Sequence, residues 1–296
     1  MLNNSREASI SAKAFGKINL TLEVTARRKD GYHEINSIIQ TISLCDDLTV
    51  SHSPDLILEQ SGYDLEPESD LALRAAKVLR NHAAISDGAR IRIHKNLPLS
   101  SGLGGGSSNA ASVLTLLSNL WGLSLKNSEI SDLAASLGSD VPFFLEGGTS
   151  YVQGRGEIVR AMSRIPQKWF VLCVPEIAIP YKTATMYSLL EASDFTSGGL
   201  SRKIEARVNG GGDFPEEFLF NVFDRVAIRN YKSVASAFDA MYAIGVKEPH
   251  LAGSGPTVYG IVNTYESARA MQLLLELKHG FKAYIAEPVF DGPVPI

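Results

Sequence analysis

The residues from Ser101 to Ser112, SGLGGGSSNAAS, combine four glycines with four serines directly before an apolar run. Glycine has no Cβ, so the N–H groups of Gly104–Gly106 can approach a ligand closely. The apolar run predicts a helix over Ser108–Leu120, with Ser107 and Ser108 at the expected N-cap positions. The start of a helix offers unpaired N–H donors and the positive end of the helix dipole. This stretch therefore predicts a binding site for phosphate oxygens.

The same stretch departs from both common nucleotide-binding motifs. From Gly102 the order is Gly, Leu, Gly, Gly, Gly, Ser, so the third glycine of the dinucleotide fingerprint is missing. The lysine that a P-loop requires does not follow the glycines. A glycine turn that only caps the helix is the alternative, but capping does not need three consecutive glycines. The residues favour a phosphate site in which several N–H donors and a metal ion share the charge.

The composition of the 296-residue chain is that of an ordinary globular protein, with 45% hydrophobic and 20% charged residues. A net charge of −4 without long Lys/Arg runs disfavours a nucleic-acid partner. The two cysteines lie in apolar runs and are expected to be reduced, buried thiols. The sequence begins without a signal-like segment and has no apolar stretch of membrane-spanning length. We therefore expect a cytoplasmic protein with no membrane partner.

The predicted strands and helices are mixed without strict alternation, which favours an α+β fold. Alternating residues predict a strand over Lys17–Ala26, and a helix is expected to begin at Ser69 or Asp70. The short apolar run Pro142–Leu145 is interpreted as a strand. Residues Ser193–Pro215 are rich in glycine and poor in apolar residues, so we expect an irregular loop with one short helix there.

Four motifs resemble those of the galactokinase, homoserine kinase, mevalonate kinase and phosphomevalonate kinase superfamily. In chain order they are AFGKINLTLEVTARRKDGYHEINSIIQ, PLSSGLGGGSSNAAS, LGSDVPFFLEGGTSYVQGRGE and LAGSGPTVYGI, which together span Ala14 to Ile261. The resemblance implies an α+β fold of two domains, residues 1–162 and 163–296. The first would be like ribosomal protein S5 domain 2 and bind ATP, and the second would be ferredoxin-like.

The resemblance also implies a reaction, in which the γ-phosphoryl group of ATP passes to an alcohol with Mg²⁺ bound beside the nucleotide. The motifs GYHE and GLGGGSSNAA are typical of the branch that phosphorylates the 2-hydroxyl of a methylerythritol linked to cytidine diphosphate, in the non-mevalonate route to isoprenoids. Asp140 corresponds to the catalytic base and Lys17 to its partner. Taken without the resemblance, Asp140 is an ordinary loop aspartate before a strand, and Lys17 is a solvent-facing strand lysine.

Further positions correspond to residues that bind ligands in the superfamily. Those implied for ATP are Lys95, Pro98, Gly102, Leu103, Gly104, Gly105, Gly106, Ser107 and Ser108. Those implied for the small-molecule substrate are Asn19, Tyr32, His33, Thr183, Tyr187, Gly253, Ser254 and Gly255. The metal is expected to come with ATP, without a dedicated protein site, and the hydroxyls of Ser107 and Ser108 are candidates to contact it.

Two alternatives stay open from the sequence. The chain could phosphorylate another small alcohol, as mevalonate and homoserine kinases do, although those relatives differ from GYHE and GLGGGSSNAA. It could also be a non-catalytic ligand-binding homologue, which the presence of Lys17 and Asp140 disfavours. The segment NVFD, Asn221–Asp224, fits the family's Asn-Asp-x-Glu pattern only loosely. A monomer and a homodimer are both compatible with the sequence.

Overall fold

A computed structural model, described over residues 9–63 and 66–292, contains two β-sheets with helices packed on them. This arrangement confirms the α+β class. The strands are β1 (Ser9–Arg27), β2 (His33–Ser53), β3 (Leu56–Ser61), β4 (Gly88–His94), β5 (Thr149–Gly154), β6 (Ile158–Ala161), β7 (Trp169–Val174), β8 (Phe220–Asn221), β9 (His250–Leu251), β10 (Val258–Val262) and β11 (Lys282–Ala286). The helices are α1 (Leu71–His82), α2 (Gly105–Leu120), α3 (Asn127–Leu137), α4 (Val141–Glu146), α5 (Lys182–Ser188), α6 (Gly199–Asn209), α7 (Phe223–Asn230), α8 (Lys232–Ala243) and α9 (Tyr265–Leu277).

The first sheet has seven strands and is built around the long antiparallel pair β1 and β2. Strand β2 pairs with β5 through its first half and with β4 through its second half. Strand β8 comes from late in the chain and adds a short parallel pairing to β1, with Thr21 opposite Phe220. The chain therefore returns to the first sheet at β8, after it has formed β7 of the second sheet.

Helix α2 is the central helix of the first sheet. It packs on β1 and β2 and is flanked by α1 and α4. Polar as well as apolar residues of α2 are buried, Ser108 and Asn109 among them, which is typical of a helix enclosed on all sides. This packing holds the start of α2, and with it the glycine stretch, against the sheet.

The second sheet is antiparallel, in the order β11-β7-β10-β9, with α8 and α9 packed against it. Its β7 carries the continuous apolar run that predicts a fully buried strand, and Phe170–Cys173 are buried. The turn between β9 and β10 holds the second glycine motif, Gly253–Gly255. Within residues 9–63 and 66–292, no helix is long and apolar enough to cross a membrane.

One predicted element differs in the structure. The strand predicted at Pro142–Leu145 is wrong, because these residues form helix α4, with the proline in the first turn where its missing N–H costs nothing. The region Ser193–Pro215, where an irregular loop with one short helix is expected, contains the 11-residue helix α6. The buried carboxylate of Glu23 accepts hydrogen bonds from the amide and hydroxyl of Ser201, in the first turn of α6, at 2.8 and 2.7 Å.

Candidate active site

A cleft of about 920 Å³ brings together residues that are far apart in the sequence and come from elements of both sheets. All but three of the residues predicted for the site line it, and the exceptions are Leu103, Ser108 and Gly255. Leu103 and Ser108 are buried, and the Leu103 carbonyl accepts the Lys17 amide at 2.9 Å. The Gly255 carbonyl accepts a hydrogen bond from Lys182.

The glycine stretch ends at the start of α2, three residues earlier than the sequence predicts. Gly104 is the N-cap residue, with φ 74° and ψ 16°, and its carbonyl accepts the Ser108 amide at 2.9 Å. Ser107 and Ser108 therefore lie in the first helical turn instead of at the cap. The N–H groups of Gly105, Gly106 and Ser107 donate to none of the residues that the structure describes. They are the donors that a helix start offers to an anion.

The glycines of this stretch differ in whether the structure has room for a side chain. At Gly102, with φ +90°, an added Cβ would lie 2.0 Å from the Ala252 carbonyl oxygen in the second glycine turn. At Gly104, a Cβ would lie 2.6 Å from the Phe144 ring. At Gly106, the nearest atom would be a methyl carbon of Leu71 at 3.7 Å, an ordinary contact. Gly102 and Gly104 thus permit close packing, whereas a side chain fits at Gly106.

Lys17 and Asp140 meet in the cleft. The Lys17 Nζ lies 3.6 Å from the Asp140 Oδ2, and the Lys17 side chain is only 5% exposed whereas that of Asp140 is 42% exposed. The Lys17 ammonium also donates to Asn19 Oδ1 at 2.7 Å, and the Asn19 amide donates to Ser37 Oγ at 2.8 Å. A buried, oriented ammonium therefore stands beside a carboxylate that solvent or a ligand can reach.

Lys95 is anchored by a buried carboxylate. Its Nζ lies 2.5 Å from Asp46 Oδ2, and the other oxygen of Asp46 accepts the amides of Asn96 and Leu97, both at 2.8 Å. The Lys95 ammonium adjoins Gly105, where an added Cβ would lie 2.7 Å from Nζ. Lys95 and Pro98 line the cleft beside the free amides of α2.

Aromatic side chains line another part of the cleft. The rings of His33 and Tyr187 are stacked with centroids 4.9 Å apart, and Tyr187 makes an edge contact with Phe223. Burial, together with the charge of Arg27, lowers the pKa of His33, which favours the neutral imidazole. Tyr32 is 51% exposed, and the Arg155 guanidinium lies 5.0 Å from its ring centroid. This part of the cleft offers flat faces and hydrogen-bonding edges to a heterocyclic base.

The second glycine turn faces Lys17 from the other side. An added Cβ at Gly253 would lie 2.8 Å from the Lys17 Nζ. Asn221 fixes this turn, because its amide donates to the carbonyls of Leu251 and Gly253, both at 2.8 Å. Thr183 Oγ1 lies 3.3 Å from Ser254 Oγ at the rim. The NVFD segment, which the sequence leaves without a role, thus supports the turn.

The sequence did not point to Lys182 or Arg155, both of which line the cleft. Lys182 precedes the predicted residue Thr183, and that adjacency was the signal available. Among the described residues, no group of three or more His, Cys, Asp and Glu side chains could hold a metal ion. Of the two candidate serines, Ser107 lines the cleft, whereas Ser108 is buried and does not line it.

Comparison with known proteins identifies the class of the fold. A family model described as the GHMP kinases N terminal domain matches residues 70–148, which include the glycine stretch and Asp140. The structure of a homoserine kinase from Cytophaga hutchinsonii is 14% identical, with a TM-score of 0.69 and full coverage of both chains, a likeness that concerns the fold alone. The fold is therefore that of the GHMP kinase class.

More similar relatives define the family within this class. A 4-diphosphocytidyl-2-C-methyl-D-erythritol kinase from Dehalococcoides mccartyi is 38% identical over 279 residues, which are 94% of this chain and 97% of the relative. A crystal structure of 4-(cytidine 5'-diphospho)-2C-methyl-D-erythritol kinase is 30% identical, with a TM-score of 0.80 over 94% of this chain and 98% of that one. The chain belongs to the 4-diphosphocytidyl-2-C-methyl-D-erythritol kinase family.

Proposed function

We propose that the protein transfers the γ-phosphoryl group of ATP to the 2-hydroxyl of 4-diphosphocytidyl-2-C-methyl-D-erythritol, which gives the 2-phosphate and ADP. The observation that carries this proposal is the approach of the Lys17 ammonium to the Asp140 carboxylate at 3.6 Å, in the same cleft as the free amides of α2. Phosphoryl transfer depends mainly on positioning and on stabilising charge, and this cleft offers groups for both.

In the proposed mechanism, Asp140 accepts the proton of the 2-hydroxyl as the oxygen attacks phosphorus. Lys17, oriented by Asn19, stabilises the negative charge that develops on that oxygen. The amides of Gly105, Gly106 and Ser107 bind phosphate oxygens of ATP, with Lys95 nearby. When bound with ATP, Mg²⁺ neutralises phosphate charge, and Ser107 is the residue of this chain best placed to contact it.

The other part of the cleft would bind the cytidyl portion of the substrate. The His33 and Tyr187 rings and the exposed face of Tyr32 suit a flat base, and neutral His33 can both donate and accept a hydrogen bond at its edge. Gly253 and Ser254, with Thr183 and Asn19, line the same cleft and would contact the diphosphate and polyol.

Incubation of the purified protein with ATP and each of three alcohols, the cytidyl substrate, mevalonate and homoserine, tests the substrate directly. We expect phosphorus NMR to show a new phosphate monoester with the cytidyl substrate alone. Phosphorylation of mevalonate or homoserine in its place would refute the proposal, and no phosphorylation of any of them would favour a non-catalytic homologue.

Replacement of the proposed base tests the mechanism. Asp140→Asn keeps the size of the side chain but cannot accept the proton, so we expect kcat to fall by roughly 10²–10⁴-fold while calorimetry shows unchanged ATP binding. Asp132→Asn, at an exposed carboxylate on α3, is the matched control and should leave both unchanged. Wild-type turnover by Asp140→Asn would exclude Asp140 as the base.

A further inference from the structure

Lys182 joins the two glycine turns of the cleft, the first at Gly102–Gly106 and the second at Gly253–Gly255. Its ammonium donates to the carbonyl of Ser100, directly before the first turn, at 3.0 Å. It also donates to the carbonyl of Gly255, the last residue of the second turn, at 2.5 Å. These turns belong to different sheets, so one side chain holds parts of both sheets at a fixed separation. Among the described residues the ammonium has these two acceptors, so one of its three N–H groups is available to a ligand.

The backbone around this contact is strained. Only Ala84, Ser100 and Tyr181 among the described non-glycine residues have a positive φ, and two of these three adjoin the Lys182 contact. Tyr181, with φ 46° and ψ 40°, is the N-cap of α5, and its ring is 91% exposed. Burial of the ring therefore does not hold Tyr181 in this conformation. Strain of this kind persists where surrounding contacts impose it, and it is frequent at functional sites.

The electrostatic setting of Lys182 is unusual for a lysine. Burial, with a smaller contribution from the positive charge of Lys17, lowers its pKa to about 8, while Asp140 opposes this change. Lys17 on β1 and Asp140 before α4 are the charged groups that act on it, and the two glycine turns contribute only uncharged residues. An anion placed between the turns would raise this pKa again, because it favours the ammonium.

We propose that Lys182 is a positioning residue for phosphoryl transfer, whose ammonium fixes the first glycine turn against the second and so keeps the cleft at the width that the phosphate groups require. The kinetic part of this proposal rests on the proposed function. Loss of the Lys182 proton weakens both carbonyl contacts, since hydrogen bonds from a charged donor are about twice as strong as neutral ones. Phosphate binding therefore favours the protonated form of Lys182, and the protonated ammonium holds the two turns together.

Three variants test this role kinetically: Lys182→Met, Lys182→Arg and, as control, Lys247→Met at an exposed lysine of the second half. We expect kcat/KM of the wild type to fall as pH rises through about 8, where the free protein loses the Lys182 proton. Lys182→Met should lower kcat/KM at pH 7 by about tenfold or more, and its kcat/KM should no longer fall as the pH rises through about 8. Lys182→Arg, which stays charged, should keep most of the activity, and its kcat/KM should fall only at a higher pH than that of the wild type. The proposal would be refuted if kcat/KM fell near pH 8 in all variants, or if Lys182→Met had the kcat/KM of the wild type.

Hydrogen exchange provides a test that needs no activity. The Thr257 amide donates to the Ser101 carbonyl at 3.2 Å and thereby links the two turns directly. Without ligand, we expect this amide to exchange at least about tenfold faster in Lys182→Met than in wild type, Lys182→Arg or Lys247→Met. Equal exchange in all four proteins would overturn the positioning role even if the kinase reaction is confirmed. Faster exchange in Lys182→Met alone would support it even if the substrate proves to be a different alcohol.

Discussion

The two glycine turns of the cleft are held in place in different ways. In the first turn, Gly102–Gly106, the amides that begin α2 donate to none of the residues in the described part of the chain. In the second turn, Gly253–Gly255, side chains from other elements donate to two of the three carbonyls, Asn221 to that of Gly253 and Lys182 to that of Gly255. The first turn is therefore suited to bind an anion, and the second is held in a fixed conformation by Asn221 and Lys182. The first turn combines close packing at Gly102 and Gly104 with amides available to a ligand, whereas the second turn is fixed by side chains from other elements.

The contact between the turns gives the largest expected effect. Gly102→Ala would place a Cβ 2.0 Å from the Ala252 carbonyl oxygen at a residue with φ +90°. The unfavourable φ costs about 1–3 kcal/mol and the overlap a similar amount, so we expect the free energy of unfolding to fall by about 4 kcal/mol. Displacement of the turns should also lower kcat by about 10²-fold. Urea unfolding and a steady-state kinase assay measure the two effects.

The matched control lies in the same turn. Gly106→Ala adds a Cβ that meets only Leu71, at an ordinary 3.7 Å, on a backbone that alanine adopts readily. Alanine in a helix is favoured over glycine, so we expect this variant to be unchanged in stability or more stable by up to about 1 kcal/mol. If both variants lost the same stability, the distinction between a packed and an open end of the first turn would be wrong.

Removal of the second turn's support should have a smaller effect. Asn221→Ala leaves the carbonyls of Leu251 and Gly253, and the amide of Phe223, without their side-chain partner. Gly253 lines the cleft, where water can replace the lost partner, whereas Leu251 and Phe223 are buried, so we expect a loss of about 2 kcal/mol in the free energy of unfolding. Asn230→Ala, at an exposed asparagine at the end of α7, should change it by less than about 0.5 kcal/mol. Equal losses in the two variants would contradict a bracing role for Asn221.

This difference between the turns also explains what the sequence could predict. The first turn and α2 are local, since the glycines and the apolar run lie side by side, and the only error was the position of the cap. The second turn depends on Asn221 and Lys182, which lie dozens of residues away and have no local pattern. The bounds of helix α6 depend on a distant residue in the same way, because Glu23, which accepts the Ser201 amide in its first turn, belongs to β1. Only the resemblance to a family placed Lys17 and Asp140 together, and their roles stay predictions.

Substitution of Asp224 has the smallest expected effect on stability and tests the support of the second glycine turn most specifically. Its carboxylate accepts the Leu251 amide at 2.9 Å and contacts His250 Nδ1 at 2.8 Å. Burial raises the pKa of Asp224 above its ordinary value of 3.8, and His250 opposes this only in part. A carboxyl group with a raised folded-state pKa stabilises the protein below pH 3.8, and this contribution is lost as the pH rises through the folded-state value. Asparagine does not titrate, so the stability of Asp224→Asn minus that of wild type should increase over that interval and then stay constant. Urea unfolding at a series of pH values measures this difference, and a difference that is flat or decreases with pH would show that burial does not control the titration of Asp224.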